Sequence, residues 1–258
     1  AQPSDGGTPL SFTGIIPVNQ LQNVPTYHMP NFNNDSLRAE GKRKEKECGC
    51  GRSYNAKGEV LDIDIKTAGK KIDITAKGSI WLYQIKSPTA PAIQLLLKDF
   101  KVPDGATLYV YNKKKSKVFG AYTSKNNNGS GALTLPQMEG KEFTIEYFEP
   151  INAAYSASPK IMSAMHHYRY MFENTRSVYS DNHPALCTDH ISANCPIGDP
   201  WSIERRSVVA IFGYKDEEPH YFFGYVCSGA LMNNTSQDGT PYILSANHCL
   251  NYNSYIAP

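Results

Sequence analysis

The chain has 258 residues, which is long enough for one large domain or two modest ones, each with its own hydrophobic core. Its formal net charge is only +2, so no strongly basic or acidic field points to binding of nucleic acid or a membrane surface. No apolar run approaches the roughly 20 residues of a membrane-spanning helix, so we expect no membrane span. Low charge combined with 17 tyrosines favours a β-rich secreted protein.

Residues 1–54 are predicted to form an extended lead segment. Prolines recur as far as Pro30 and oppose a long helix, and a charged run follows at residues 42–47. The sequence begins at Ala1 rather than Met, which is typical of a mature end left after removal of a secretion signal. We therefore expect a secreted or periplasmic location.

Residues 55–150 are predicted to form an antiparallel β-sandwich. Apolar and β-branched residues dominate short runs that turn-forming residues separate, with no helical pattern between them. The runs lie at residues 61–65, 72–75, 80–83, 93–97, 107–111, 132–135 and 143–148. The lysine-rich residues 113–117 lie between two runs, where a solvated hairpin loop is favoured over an anion-binding patch.

Residues 151–185 are predicted to be a connector that contains one amphipathic or strand-like stretch at residues 161–172. This stretch holds His166 and His167, a pair that could suggest a metal site. Adjacent residues of a strand point to opposite faces, which opposes shared ligation, so a structural role is favoured for both.

Six cysteines lie at positions 48, 50, 187, 195, 227 and 249. An even number fits an oxidising compartment, but the sequence alone does not fix the pairing. The best pair is Cys227 with Cys249, and closing that loop would stabilise the fold by about 3 kcal/mol. Cys48-Gly49-Cys50 lacks the C-x-x-C spacing of redox and zinc motifs, so a disulfide or a surface hairpin is favoured there.

His248 is the candidate catalytic residue. An apolar strand leads into Ser245–Cys249, which would hold the histidine at a strand end beside a disulfide, where it can act as a general base. Ser228, Ser245 and Asp238 lie nearby in sequence, but none is in a Gly-x-Ser-x-Gly or Gly-Asp-Ser-Gly context. A complete triad within this sequence is therefore not expected.

Residues 187–249 resemble the opening third of a bacterial lysyl-endopeptidase-type serine peptidase, a secreted relative of the trypsin-like double β-barrel enzymes. The matching pieces are Cys187, Cys195-Pro196, Ala210–Gly213, Cys227–Leu231, Asn233–Thr235 and Leu244–Cys249. The resemblance implies that His248 is the catalytic base and that Cys227 pairs with Cys249. The predicted sandwich, through Val102–Tyr111, is similar to the pro-region of such enzymes.

The fold that this resemblance implies is mainly β, with an antiparallel β-sandwich pro-region followed by an incomplete trypsin-like β-barrel at residues 186–258. In that family the catalytic Asp and Ser would lie beyond residue 258. We therefore expect a truncated, inactive serine-endopeptidase precursor that uses no cofactor and no metal. Its partners would be protein or peptide substrates once completed, and its own downstream peptidase portion.

Two other functions stay open at this point. The sandwich could be a non-catalytic binding or adhesion module followed by a peptidase remnant, or it could inhibit a separate peptidase in trans. Half of a barrel leaves strand edges and apolar faces uncovered, so residues 187–258 should be poorly stable unless they pack on the sandwich.

Overall fold

The computed structural model describes residues 4–48, 53–169, 196–218, 221–249 and 254–255. Over these residues the protein is mainly β, as predicted. Its α-helices are α1 (Asn34–Cys48), α2 (Ile65–Ala68) and α3 (Ser202–Arg205), and short 3-10 turns lie at Leu10–Phe12, Val18–Leu21, Ser124–Asn126, Pro196–Trp201 and Asn247–Cys249. No helix in the described ranges is long and apolar enough to cross a membrane.

The strands form two sheets. In chain order they are β1 (Thr26–His28), β2 (Ser53–Asp64), β3 (Lys70–Ile74), β4 (Gly78–Lys86), β5 (Ala92–Lys98), β6 (Thr107–Asn112), β7 (Val118–Tyr122), β8 (Leu133–Thr134), β9 (Met138–Glu139), β10 (Glu142–Pro150), β11 (Lys160–His167), β12 (Val208–Glu218), β13 (Tyr221–Met232), β14 (Tyr242–Ser245) and β15 (Ser254–Tyr255). The first sheet has the order β1-β4-β10-β6-β7, with β3 also beside β4. The second has the order β15-β12-β13-β2-β11-β5-β8, with β14 beside β13 and β9 beside β5.

Strand pairs in the described residues are antiparallel, apart from the parallel pair β1–β4. Each run that the sequence predicted between residues 61 and 148 overlaps one of these strands.

The two sheets pack face to face around one hydrophobic core. Its buried members come from both sheets and include Ile145 and Tyr147 of β10, Leu95 of β5 and Ile161 of β11. Phe143, Ile145 and Tyr147 of β10 all belong to this core because successive side chains of a strand alternate between its faces. Burial of each large apolar side chain contributes about 1.5–3 kcal/mol, so this core accounts for most of the driving force for folding.

The N-terminal segment covers the outer face of the first sheet. Leu10, Ile16 and Leu21 of this segment pack on a smaller apolar cluster that contains Ile80 and Leu82 of β4. The segment then ends in β1, which adds to the edge of β4. The outer face of the sheet is thus shielded by the chain that precedes the sandwich.

A buried carboxylate ties the N-terminal segment to the sheet. Glu146, on β10, is only 1% exposed, and its Oε1 accepts a hydrogen bond of 2.6 Å from the backbone N–H of Leu10. The N–H of Ser11 donates to Oε2 over 3.3 Å, as does the hydroxyl of Tyr111. Burial raises the pKa of Glu146, whereas the hydrogen bonds from Ser11, Leu10 and Tyr111 lower it.

Helix α1 corrects the prediction of an extended lead segment, which was wrong for residues 34–48. The prolines of this segment end at Pro30, so none opposes a helix further on. The side chain of Asn33 caps the helix, because its Oδ1 accepts hydrogen bonds of 3.0 Å from the N–H groups of Asp35 and Ser36. Leu37 is buried and anchors the helix.

Strand β11 lies at the strand-like stretch predicted within residues 151–185, but it belongs to the sandwich rather than to a connector. Residues 160–167 form a central strand that pairs with β2 on one edge and with β5 on the other. Ile161 and Ala164 of this strand belong to the core. The sandwich is therefore completed by a strand that follows residue 150.

The strands after residue 196 join the second sheet of the sandwich. Strands β12 and β13 form a long antiparallel hairpin, and residues 221–226 of β13 also pair with residues 53–59 of β2. The described parts of residues 196–255 extend this sheet and close no barrel. The hairpin is therefore packed on the sandwich, which is the condition under which residues 187–258 were expected to be stable.

We predict that Glu146→Ala destabilises the protein by about 1–3 kcal/mol, because it leaves the buried N–H groups of Leu10 and Ser11 without their acceptor. Urea unfolding followed by tryptophan fluorescence measures this loss. Glu142→Ala is the matched control on the same strand, since Glu142 is partly exposed and its Oε2 lies 4.0 Å from Lys86 Nζ. That control should change the free energy of unfolding by less than about 0.5 kcal/mol. Equal losses in the two variants would contradict the proposed tie.

Candidate active site around His248

His248 lies in a 3-10 turn that directly follows an edge strand. Strand β14 pairs with residues 229–232 of β13, and the hydroxyl of Ser245 donates a 2.8 Å hydrogen bond to the carbonyl of Ser228. The chain then turns at Asn247–Cys249, where the N–H of Cys249 donates to the carbonyl of Ala246 over 2.9 Å. The backbone of His248 is thus at the strand end that the sequence predicted.

A disulfide fixes this turn to β13. Cys227 and Cys249 are bonded, with their Cα atoms 6.0 Å apart, which confirms the predicted pair. Both cysteines are buried, at 8% and 2% exposure. The covalent link places the residue after His248 against the middle of β13, so the turn cannot move away from that strand.

Two tyrosines that the sequence analysis did not single out surround the disulfide. Tyr225 donates a buried hydrogen bond of 3.1 Å from its hydroxyl to the carbonyl of Cys249. Tyr54, at the start of β2, packs edge-on against Tyr225 with the ring centroids 6.5 Å apart. Tyr225 precedes Cys227 by two residues and so shares its face of the strand, a signal that could have identified it. Tyr54 has no comparable signal.

The nearby serine and aspartate side chains have other partners. The hydroxyl of Ser245 donates its hydrogen bond to the carbonyl of Ser228, as described above. Asp238 accepts hydrogen bonds from Asn234 and Thr240 within its own loop, and these lower its pKa to about 2. The carboxylate of Asp199 lies 3.9 Å from Arg205.

The other four cysteines form no disulfide or metal site among the residues that the structure describes. Cys48 ends helix α1, whereas Cys50, Cys187 and Cys195 lie outside the described residues. Their pairing therefore stays a prediction. In the ranges that the structure describes, no group of three or more His, Cys, Asp or Glu residues is placed to hold a metal ion.

His166 and His167 are buried and have different neighbours, as expected for adjacent residues of a strand. His166 Nδ1 lies 2.8 Å from the hydroxyl of Ser87, and Nε2 lies 2.7 Å from Asn34 Oδ1. Since the Asn34 oxygen can only accept, Nε2 carries the proton and Ser87 donates to Nδ1. His166 thus links the start of α1 to the sandwich as a neutral ring.

Burial lowers the pKa values of both rings. The pKa of His166 falls to about 4, and that of His167 falls to about 3, with a smaller contribution from His166 in the second case. His167 Nε2 lies 3.3 Å from Gln94 Oε1. The two histidines therefore serve as neutral packing groups at neutral pH.

The lysine-rich residues 113–117 form the exposed loop between β6 and β7, which confirms the predicted hairpin loop. Lys115 Nζ lies 4.5 Å from the ring centroid of Phe12, and Lys117 pairs with Glu139. These contacts hold the loop on the surface of the sandwich.

The described geometry is that of a mainly β protein in which a histidine-bearing turn is closed by a buried disulfide. Residues 186–257 match the family profile described as lysyl endopeptidase, C-terminal domain. The match covers less than a third of the chain, and over that part the chain is similar to this peptidase family, which supports a lysyl-endopeptidase-related protein. No solved structure matches the chain.

We predict that the free energy of unfolding falls as the pH is lowered from about 6.5 to about 4. The unfolded chain gains a proton on His166 near the ordinary pKa of 6.5, whereas the folded chain does so only near 4. The folded state therefore loses stability on acidification, by roughly 1.4 kcal/mol per pH unit for this one ring.

Urea unfolding of the parent and of His166→Gln at several pH values measures this effect. The variant should lose less stability than the parent between pH 6.5 and pH 4, whatever its stability at pH 7. His28→Gln makes the same substitution at an exposed histidine and is the matched control for His166→Gln. Parallel pH profiles for the parent and His166→Gln would contradict the assignment.

Proposed function

We propose that this chain is the pro-region and the first part of the peptidase domain of a secreted serine endopeptidase, with His248 as the general base. The observation that carries the proposal is the turn at Asn247–Cys249, which a buried disulfide locks to β13 within the segment that matches the peptidase family. The disulfide at the residue after the histidine restrains the backbone of its turn, which favours the fixed placement that proton transfer needs.

The chemistry is acyl transfer through a serine nucleophile. The neutral imidazole of His248 accepts the hydroxyl proton as the serine oxygen attacks the peptide carbonyl, and it returns that proton to the leaving amine. Water then attacks the acyl-enzyme, again losing its proton to the imidazole, and the serine is released. The imidazole returns this second proton to the serine oxygen, so it ends the cycle neutral.

The nucleophile and the orienting carboxylate are proposed to come from a downstream peptidase portion. The 258 residues contain no Gly-Asp-Ser-Gly segment. The carboxylate of Asp199 lies 3.9 Å from Arg205, and Asp238 accepts a hydrogen bond from Asn234 of its own loop. We therefore expect the 258-residue chain to be inactive when it is tested alone, and to act on protein or peptide substrates once it is completed.

The proposed location is extracytoplasmic. The buried Cys227–Cys249 disulfide requires an oxidising environment to form and persist. The peptidase family that the segment resembles also supports secretion.

We predict that a chain extended through its downstream peptidase portion hydrolyses peptide bonds and becomes labelled on one serine by a fluorophosphonate probe. His248→Ala in that chain should lower kcat/KM on the order of a thousandfold or more, because the serine loses its base. Peptide hydrolysis and mass spectrometry of the labelled protein measure the two effects.

His28→Ala is the control, since His28 is an exposed residue of β1 on the other sheet. It should leave kcat/KM unchanged. Non-reducing mass analysis shows whether His248→Ala keeps the Cys227–Cys249 disulfide, which separates loss of the base from misfolding. The proposal fails if no serine is labelled, or if hydrolysis survives the loss of His248.

A further inference from the structure

One edge of β13 is shared by two different strands. Its C-terminal part, residues 229–232, pairs with β14, which leads to His248, and its N-terminal part, residues 221–226, pairs with β2 of the sandwich. The two ladders end at Gly229 opposite Ser245 and at Val226 opposite Ser53. Only Cys227 and Ser228 separate them, and Cys227 is the residue bonded to the turn of His248.

We propose that the edge of β2 is the interaction surface through which the sandwich holds the first hairpin of the peptidase domain, and that this contact orders the turn that carries His248. The partner that fits this surface is a two-stranded antiparallel hairpin, here β12–β13. The proposal rests on the proposed function, because it takes the hairpin to belong to a peptidase and the sandwich to be its pro-region.

The backbone of β13 supplies the first argument. Residues 221–226 read Tyr-Phe-Phe-Gly-Tyr-Val, and an unpaired strand edge of this composition tends to pair with other chains. Strand β12 satisfies one edge of this stretch, and β2 satisfies the other. The sandwich therefore covers an edge that the described hairpin and β14 leave open.

The packing at Gly224 supplies the second argument. A Cβ atom at this position would lie 2.4 Å from Met165 Cε and 3.1 Å from Ala56 Cβ. Ala56 and Met165 are buried residues of β2 and β11, respectively. An added side chain would thus displace the terminal methyl of Met165 and press on Ala56, so the hairpin and the sandwich are in close contact at this glycine.

The contact to the disulfide supplies the third argument. Tyr54 of β2 belongs to the same buried cluster as Tyr225, Cys227 and Cys249. The N–H of Tyr54 donates a 3.0 Å hydrogen bond to Glu45 of α1. A continuous set of contacts therefore runs from α1 through Tyr54 and Tyr225 to the residue that follows His248.

The first experiment compares the same substitution at two glycines of β13 in the 258-residue chain. Gly224→Val places a side chain against Met165 and Ala56, whereas Gly229→Val places one against Ile211, Ile243 and Leu244, outside the sandwich. Amide hydrogen exchange, read by mass spectrometry on peptides from β2, β13 and β14, reports which ladder opens.

We expect Gly224→Val to speed exchange in residues 53–59 and 221–226 by roughly tenfold or more, as a locally opened ladder does. Gly229→Val should speed exchange in β14 and leave residues 53–59 at the parental rate. The proposal is overturned if residues 53–59 keep their parental rate in Gly224→Val, or if both variants affect them equally.

The second experiment tests the link to the turn and does not depend on the first variant folding. Tyr54→Ala removes the sandwich side chain that covers the Cys227–Cys249 disulfide, so its reduction by dithiothreitol should become roughly tenfold faster. Tyr242→Ala, at a tyrosine of β14 that is 54% exposed, is the matched control and should leave that rate unchanged. Alkylation of the released thiols measures both rates.

Equal reduction rates in the parent and in Tyr54→Ala would overturn the role of the sandwich at this turn. Neither experiment uses catalysis. If the extended chain proves inactive while these effects are seen, the proposed chemistry fails and the interaction surface stands. If the effects are missing while the extended chain hydrolyses peptides, the surface fails and the peptidase assignment stands.

Discussion

Strand β2 has a hydrogen-bonded neighbour on each edge, and the arrangement of the second sheet depends on this double pairing. Residues 56–64 pair with β11 inside the sandwich, and residues 53–59 pair with β13 of the hairpin. An unpaired backbone N–H or carbonyl inside a sheet is costly, so a strand with partners on both sides is held in one register. The segment that resembles a peptidase thereby becomes continuous with the sandwich.

The strands of the sandwich could be predicted because their pattern is local. In β10 the buried core residues Phe143, Ile145 and Tyr147 recur at every second position, and this period alone identifies a strand. The disulfide between Cys227 and Cys249 could also be predicted, since an apolar strand and a short loop bring two cysteines of one hairpin together. In each case the information lies within about 20 residues of sequence.

Features that depend on distant partners could not be predicted in this way. Helix α1 does not follow from the prolines of the lead segment, because they end before Asn31 and Asn33 caps a helix beyond them. Glu146 shows the same limit. Its position on the outer face of β10 suggests a solvated carboxylate, but the N–H groups of Leu10 and Ser11, far away in sequence, make it a buried acceptor.

The candidate site combines both kinds of information. His248 and its disulfide follow from one short segment, whereas the packing behind them comes from Tyr54, which lies almost 200 residues earlier. A general base must keep its orientation through proton transfer, so the residues that hold its turn matter as much as the imidazole itself. Because part of that support belongs to the sandwich, separation of the sandwich from the hairpin would require new packing around Cys249. The pairing of β2 with β13 thus connects the sandwich to the turn that carries the proposed base.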